Sequence, residues 1–299
     1  MLLTLLRTAT NARSLWIRSV LLAPLLAGLG GSAGFNGSGA AQAAVPPSAE
    51  AIQELVPGVL QGYLPAAERL NSLNFVPPAP EGASARQLLD TLWSERMVSL
   101  RNSARWDLAI RDADLTFPAA AGAFSCALGL RISETDTPAL YQLLRRSLAD
   151  IGLSTYGAKT TYQRPRPFMA NGAPICTPGD EDKLRTDGSY PSGHTAVGWG
   201  WALILSELAP DRAEAVLARG LAFGESRTVC NVHWYSDVVA GRVVGAATVA
   251  RLQTNAAFLA DKEAARAEIE RARRADLART NAPPAETCSA EAKALATPN

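Results

Sequence analysis

Histidine is scarce in this chain: His194 and His233 are the only two among 299 residues. Neither sign of charge is in excess, since 29 Lys and Arg against 28 Asp and Glu leave a formal net charge of +1. General polyanion binders carry a basic excess or stripe. Nucleic acid is therefore excluded as a partner, and any anion chemistry must come from local clustering. Cys126, Cys176, Cys230 and Cys288 include no CxxC and no Cys/His metal spacing, which argues against a zinc site. Beyond the N-terminus no apolar run is long enough to span a bilayer. AVGWGWALIL is too short, and VVAGRVVGAATVA holds Arg242 in its middle. Strand alternation bounded by turn residues is hard to find, and no repeat of fixed period is evident.

What is present is an ordinary globular composition, 47% apolar and 19% charged, in a chain long enough for a sizeable core. Residues 1–43 stand apart. They carry Arg7, Arg13 and Arg18 with no acidic residue, then the apolar run VLLAPLLAGL, then small residues ending in AQA. This order reads as a secretory signal peptide cleaved after Ala43. The glycines of GLGGSAG cut the run below the ~18 to 20 residues that a membrane anchor requires. Loss of those arginines leaves 26 basic against 28 acidic residues, so the mature chain is near −2. A soluble periplasmic or secreted protein is expected, and in that setting an even set of cysteines permits disulfides. Three complete pairings are possible and the sequence does not choose among them.

Residues 44–83, rich in Pro and Gly, read as an irregular arm with short helical pieces. From Ser84 the apolar period is helical. Ser84 and Gln87 suggest a capping box, with Leu88, Leu89, Leu92 and Trp93 on one face. Thr137 before Pro138 opens a helix carrying Leu140, Leu144, Leu148 and Ile151. Asp211 with Glu214 opens another through Val216, Leu217 and Leu221, and a further helix starts near Ser236 or Asp237. Residues 256–280 read as a charged, solvated helix with pairs such as Glu270 and Arg274. Residues 281–299 read as a loose tail, with Cys288 available to pin it. The expected class is all-α: a single-domain helical bundle over 84–255, flanked by arm, charged helix and tail.

Three segments carry the chemistry. In KTTYQRPRP (159–167), Lys159, Arg164 and Arg166 stand with no acidic residue among them. Alone, such a run is a solvated loop, but Pro165 and Pro167 stiffen it and hold the arginines extended. Guanidinium groups held this way suit bidentate capture of phosphate oxygens, and a Lys adds a point charge. In GSYPSGHTAVGWGWALILSEL (188–208), Ser192 and Gly193 precede an apolar helix. The pair is first of all an N-cap. The same free N–H groups and dipole make an anion site, Gly193 lets an oxyanion approach, and His194 is placed to donate a proton. In SRTVCNVHWYSD (226–237), Asp237 lies four residues beyond His233. A carboxylate on one ring nitrogen fixes the tautomer and frees the other nitrogen to attack.

Both histidines of the chain fall in these segments. The ordered set K-x6-RP, PSGH and SR-x5-H-x3-D resembles the signature of the type 2 phosphatidic acid phosphatase superfamily. Its fixed positions are met by Lys159, Arg166 and Pro167, by Pro191, Ser192, Gly193 and His194, and by Ser226, Arg227, His233 and Asp237. Within it, GSYPSGHT resembles the class A bacterial nonspecific acid phosphatases, which are exported, all-helical and metal-independent. The resemblance implies hydrolysis of small phosphate monoesters through a phosphohistidine on His233, oriented by Asp237. His194 would protonate the leaving alcohol. Lys159, Arg166, Ser192, Gly193 and Arg227 would hold the phosphate, with no cofactor and no metal. Transfer to other alcohols and a homo-oligomer are compatible with it. Activity is expected in mildly acidic solution, where His194 is protonated and His233 neutral. Alternatives are a vanadate-dependent haloperoxidase, usually a much longer chain, and a lipid phosphate phosphatase, which needs several spans. A non-catalytic phosphate-binding protein would not need the His233–Asp237 pair.

Overall fold

A helix that is apolar all round can only be stable when other elements surround it, and GHTAVGWGWALILSEL sits at the centre of the molecule. The computed structural model describes residues 52–274 and 280–296. Residues 1–43, read above as a signal peptide, lie outside those residues. Two short antiparallel strands, β1 (Glu54–Val56) and β2 (Val59–Leu60), come first, followed by 3-10 turns at Ala66–Glu68 and Ser72–Asn74. The helices are α1 (Ala85–Val98), α2 (Ala104–Asp112), α3 (Ala119–Gly122), α4 (Ser125–Leu128), α5 (Pro138–Leu153), α6 (Tyr156–Tyr162) and α7 (Pro167–Asn171). They continue with α8 (Glu181–Thr186), α9 (Gly193–Leu208), α10 (Ala213–Val229), α11 (Tyr235–Leu252), α12 (Ala256–Ala272) and α13 (Ala285–Leu295).

Helix α9 packs against α5, α10 and α11, burying Trp201, Ile204 and Leu205 with Phe223 and Val244 in the main core. The approach of α11 is very close. A Cβ on Gly241 would lie 2.6 Å from the Ser192 carbonyl oxygen, so this position accepts only glycine. A smaller core of Met97, Trp106, Phe168, Ile175 and Val232 sits beneath α1 and α2. The disulfide Cys176–Cys230 lies within it, and Cys126–Cys288 ties α4 to α13.

The helical class is as expected, but several local expectations are corrected. The arm contains a β-hairpin, and it is anchored: Tyr63 and Leu64 are buried, and their N–H groups donate to Asp150 of α5 at 2.7 and 3.0 Å. Helix α1 is turned the other way. Leu88, Leu89 and Leu92 face solvent while Asp90, Ser94 and Met97 are buried, and Gln87 does not close a capping box but accepts from Arg164 at 2.6 Å. The α5 start is capped not by the Thr137 hydroxyl but from α12, where Glu268 accepts from the Ala139 and Leu140 N–H groups at 3.1 and 2.9 Å.

So α12 is no merely solvated helix. It buries Phe258, Ala265 and Ile269, and its ion pairs among the described residues are Arg146–Asp261, Lys262–Glu207 and Arg266–Glu263, with Arg273–Asp211 just past its end, not Glu270–Arg274. The tail is largely the helix α13, pinned by Cys288 and by Glu291 on Arg219 at 3.1 Å. The described residues form one compact unit, so arm and tail belong with the bundle. No helix among the described residues is long and apolar enough to cross a membrane.

Candidate active site

The three motif segments converge because three turns are locked to one another. After α10 the chain reverses at Asn231, whose φ of 60° is a left-handed conformation that Asn tolerates. The Val232 and His233 N–H groups then donate back to the Arg227 carbonyl at 3.2 and 3.3 Å. This fold-back is the physical content of the five-residue gap between Arg227 and His233. The N–H of Ser192 donates to the Asp237 carbonyl at 3.0 Å, which joins the start of α9 to the start of α11. Arg166 closes the third side by donating to the Val232 carbonyl at 2.9 Å.

Lys159, Arg166, Gly193, His194, Arg227 and His233 line one cavity of about 330 Å³. His233 Nδ1 lies 3.3 Å from Asp237 Oδ2, and Nε2 lies 3.1 Å from Arg166 Nη1. A guanidinium only donates. Nε2 therefore carries the lone pair, and Nδ1–H donates to Asp237. Burial first, then Arg166, Lys159 and Arg227, push the His233 pKa well below 6.5 and keep the ring neutral. His194 Nε2 lies 2.9 Å from the Ala113 carbonyl, which only accepts, so Nε2 bears hydrogen and Nδ1 is the titrating atom. Burial and then Arg227 also drive the His194 pKa well below 6.5. An acid that is protonated before substrate arrives is thus disfavoured in the free site, first by burial and then by the Arg227 and Arg166 charges.

Those cations differ in how they are occupied. Arg166 is 1% exposed and spends its N–H groups on the Leu184, Asp187, Gly188 and Val232 carbonyls, His233 and the Asp187 carboxylate. Lys159 donates to the Gly188 carbonyl at 2.6 Å and to Asp187 at 3.3 Å, and burial pushes its pKa down to about 8. Arg227, 3% exposed, has no ion pair among the described residues and its Nε has no hydrogen-bond partner. Burial holds its pKa down at about 10, so it stays charged and is the cation that most needs an anion. Ser192 and Asp237 lie behind the cavity wall. Ser192 Oγ caps α9 by accepting from the Thr195 N–H at 3.3 Å, and it also accepts from Thr195 Oγ1 at 2.9 Å, which leaves its own hydrogen free.

Two supports differ from what the sequence suggests: Arg164, read there with the phosphate-capturing arginines, and Asp187, which gives no signal. Arg164 stands apart from the cations that line the cavity. It is buried and bonds Asp237 Oδ1 at 2.6 Å and Asp90 Oδ2 at 2.7 Å, holding the carboxylate that orients His233. Burial raises the Asp237 pKa and Arg164 opposes the rise. Asp187 lies between Lys159 and Arg166 as a stand-in anion. Its place five residues before Ser192 reads as that of an ordinary loop acid. Ser226, fixed in the motif, is not in the cavity. It donates to Asp112 at 2.6 Å and accepts from Arg105 at 2.9 Å, beside the Arg219–Asp112 ion pair. Among the described residues no group of three or more His, Cys, Asp or Glu converges as a metal site would require.

A histidine pair, one buried and one half-buried, ringed by two arginines and a lysine on an all-helical frame, defines a class, and the chain belongs to the PAP2 superfamily, whose model matches residues 143–257. Within it the chain is similar to the non-specific acid phosphatases. It is 43% identical over 208 residues to the non-specific acid phosphatase of Providencia stuartii, covering 69% of this chain and 84% of that one. It is 42% identical over 200 residues to the non-specific acid phosphatase of Salmonella typhimurium, 67% of this chain and 80% of the other. The acid phosphatase of Zymomonas mobilis is 42% identical over 205 residues, 67% of this chain and 76% of its own length.

Proposed function

We propose that this chain is an exported acid phosphatase that hydrolyses phosphate monoesters in two steps, with His233 as the nucleophile. The observation that carries the reading is the His233 tautomer: a neutral ring with its lone pair at Nε2, inside a ring of cations. Phosphate would bind to Arg227, Lys159, Arg166 and the Gly193 amide, displacing the Asp187 carboxylate and drawing the Arg166 N–H away from Nε2. Nε2 then bonds to phosphorus as the ester P–O bond breaks, and the departing alkoxide takes a proton from His194 Nδ1. Water attacks the phosphohistidine, gives its proton to His194, and the P–N bond breaks to release phosphate. The cations stabilise the charge spread over the equatorial oxygens.

His194 acquires its proton with the substrate. A phosphate monoester loses its second proton near pH ~6, so below that value it arrives as a monoanion carrying one. The bound negative charge also offsets the cations that depress His194. Activity on the acidic side follows from this route. The disulfides Cys126–Cys288 and Cys176–Cys230 favour an oxidising compartment. Together with the N-terminal signal pattern they support export with cleavage near Ala43.

The test is acid-labile label on the protein after a rapid quench with radiolabelled monoester. The wild type should carry it, and His233→Ala should lose it together with at least ~10³-fold of the activity. Full monoesterase activity in that variant, or activity abolished by a chelator, would sink the reading.

A further inference from the structure

The cavity has two unlike halves. Its floor is the charged set already described, and its upper wall is apolar, formed by Leu55, Val56, Val59, Leu115, Leu153 and Tyr156. Four of these keep much of their surface in water, at 41% for Leu55, 58% for Val56, 37% for Leu153 and 49% for Tyr156. Apolar surface left exposed around a concave site is available to a ligand. These apolar residues line the same cavity as His194. Leu115 follows by two residues the carbonyl of Ala113 that holds His194 Nε2. In-line attack by His233 sends the alcohol toward the acid His194, which lines the same cavity as these apolar residues.

The hairpin is built as a wall and not as a flap. Asp150 of α5 accepts from the Tyr63 and Leu64 N–H groups directly after β2, Glu54 pairs with Arg145 at 3.8 Å, and Leu60 is buried. We infer that β1–β2, with Leu115, Leu153 and Tyr156, forms a subsite for the alcohol part of the substrate and favours monoesters of apolar alcohols. The inference rests on the phosphatase reading and adds to it a substrate preference and the residues that set it.

Straight-chain alkyl phosphates from ethyl to hexyl test it, since the alcohol's acidity hardly changes along the series while apolar area grows. In the wild type kcat/KM should rise about two- to fourfold per added methylene, the range between partial and full burial of that group. In Leu55→Ser/Val56→Ser the hexyl-to-ethyl ratio should fall toward one. Val56→Phe, which adds apolar surface, should raise the ratio, and Leu88→Ser on the solvent face of α1 should leave it as in the wild type. Inhibition by inorganic phosphate, which has no alcohol part, should change less than twofold in all of them. Turnover with a flat series, or a ratio indifferent to Leu55 and Val56, overturns the subsite alone. Failure to turn over any member overturns the phosphatase reading and the subsite with it.

Discussion

The two histidines face the same cavity but are held by different means. His233 is fixed by side chains: Asp237 on its Nδ1, Arg164 on Asp237, and Asp90 on Arg164, all buried. His194 is fixed by backbone: the Ala113 carbonyl on Nε2 and the helix start capped by Ser192. A nucleophile must present one nitrogen with a defined lone pair, and a chain of charged partners enforces that tautomer. An acid that must gain and lose a proton gains nothing from a fixed carboxylate, which would hold it charged. The His233 side should therefore be brittle to substitution and the His194 side tolerant.

The largest effect should come from Arg164→Met, which leaves Asp90 and Asp237 buried without their countercharge. Breaking a buried pair in this way costs about 3–5 kcal/mol. In a domain of this size that corresponds to a thermal midpoint lower by roughly 6–20 °C, read by calorimetry, with activity falling alongside. Asp237→Asn keeps the shape but presents the wrong hydrogen-bonding partner to His233, and kcat should drop by ~10³–10⁴-fold. On the other side, His194→Ala should cost ~10²–10⁴-fold with alkyl phosphates, the usual worth of a general acid. In the phosphoryl-transfer step, read as the burst of released alcohol, it should cost far less with 4-nitrophenyl phosphate, whose leaving group needs no proton, whereas the later hydrolysis step is common to both substrates. Equal losses of that burst on both substrates would remove His194 from the acid role.

The same contrast separates what is legible in the sequence from what is not. The residues that meet the cavity belong to short motifs with local spacing, so Lys159, Arg166, Gly193, His194, Arg227 and His233 stand out from the sequence alone. The supports are non-local. Arg164 meets Asp90, 74 residues away, and that partnership turns α1 so that its carboxylate faces inward while Leu88, Leu89 and Leu92 face water. Periodicity reads which face is apolar, and at α1 the buried ion pair outweighs it. The tail misleads for the same reason, because Cys288 finds Cys126 across 162 residues.

A smaller effect separates the cations by their titration. Lys159 loses its charge as pH rises through about 8, whereas Arg227 keeps its own until about 10. A base that becomes neutral no longer attracts an anion, so inhibition by inorganic phosphate should weaken several-fold between pH ~7 and ~9, the window around the lowered Lys159 pKa. Lys159→Arg should abolish that step, since guanidinium does not titrate there. A step that persists in the variant would assign it to another group.

The smallest change tests the backbone-held side. Ser192→Ala removes the side-chain acceptor that caps α9 but leaves the Ser192 N–H on the Asp237 carbonyl and the Gly193 amide in place. Loss of such a cap costs about 1 kcal/mol, a lowering of the thermal midpoint by ~2–4 °C in a domain of this size. If Ser192 serves the helix alone, kcat/KM should follow the stability and remain within about twofold below the transition. If its free hydroxyl hydrogen also meets phosphate, inhibition by inorganic phosphate should weaken about tenfold at temperatures where the variant is fully folded. That outcome would move Ser192 from the wall's support into the cradle itself, and it would make the two sides of the site less unlike than their frameworks suggest.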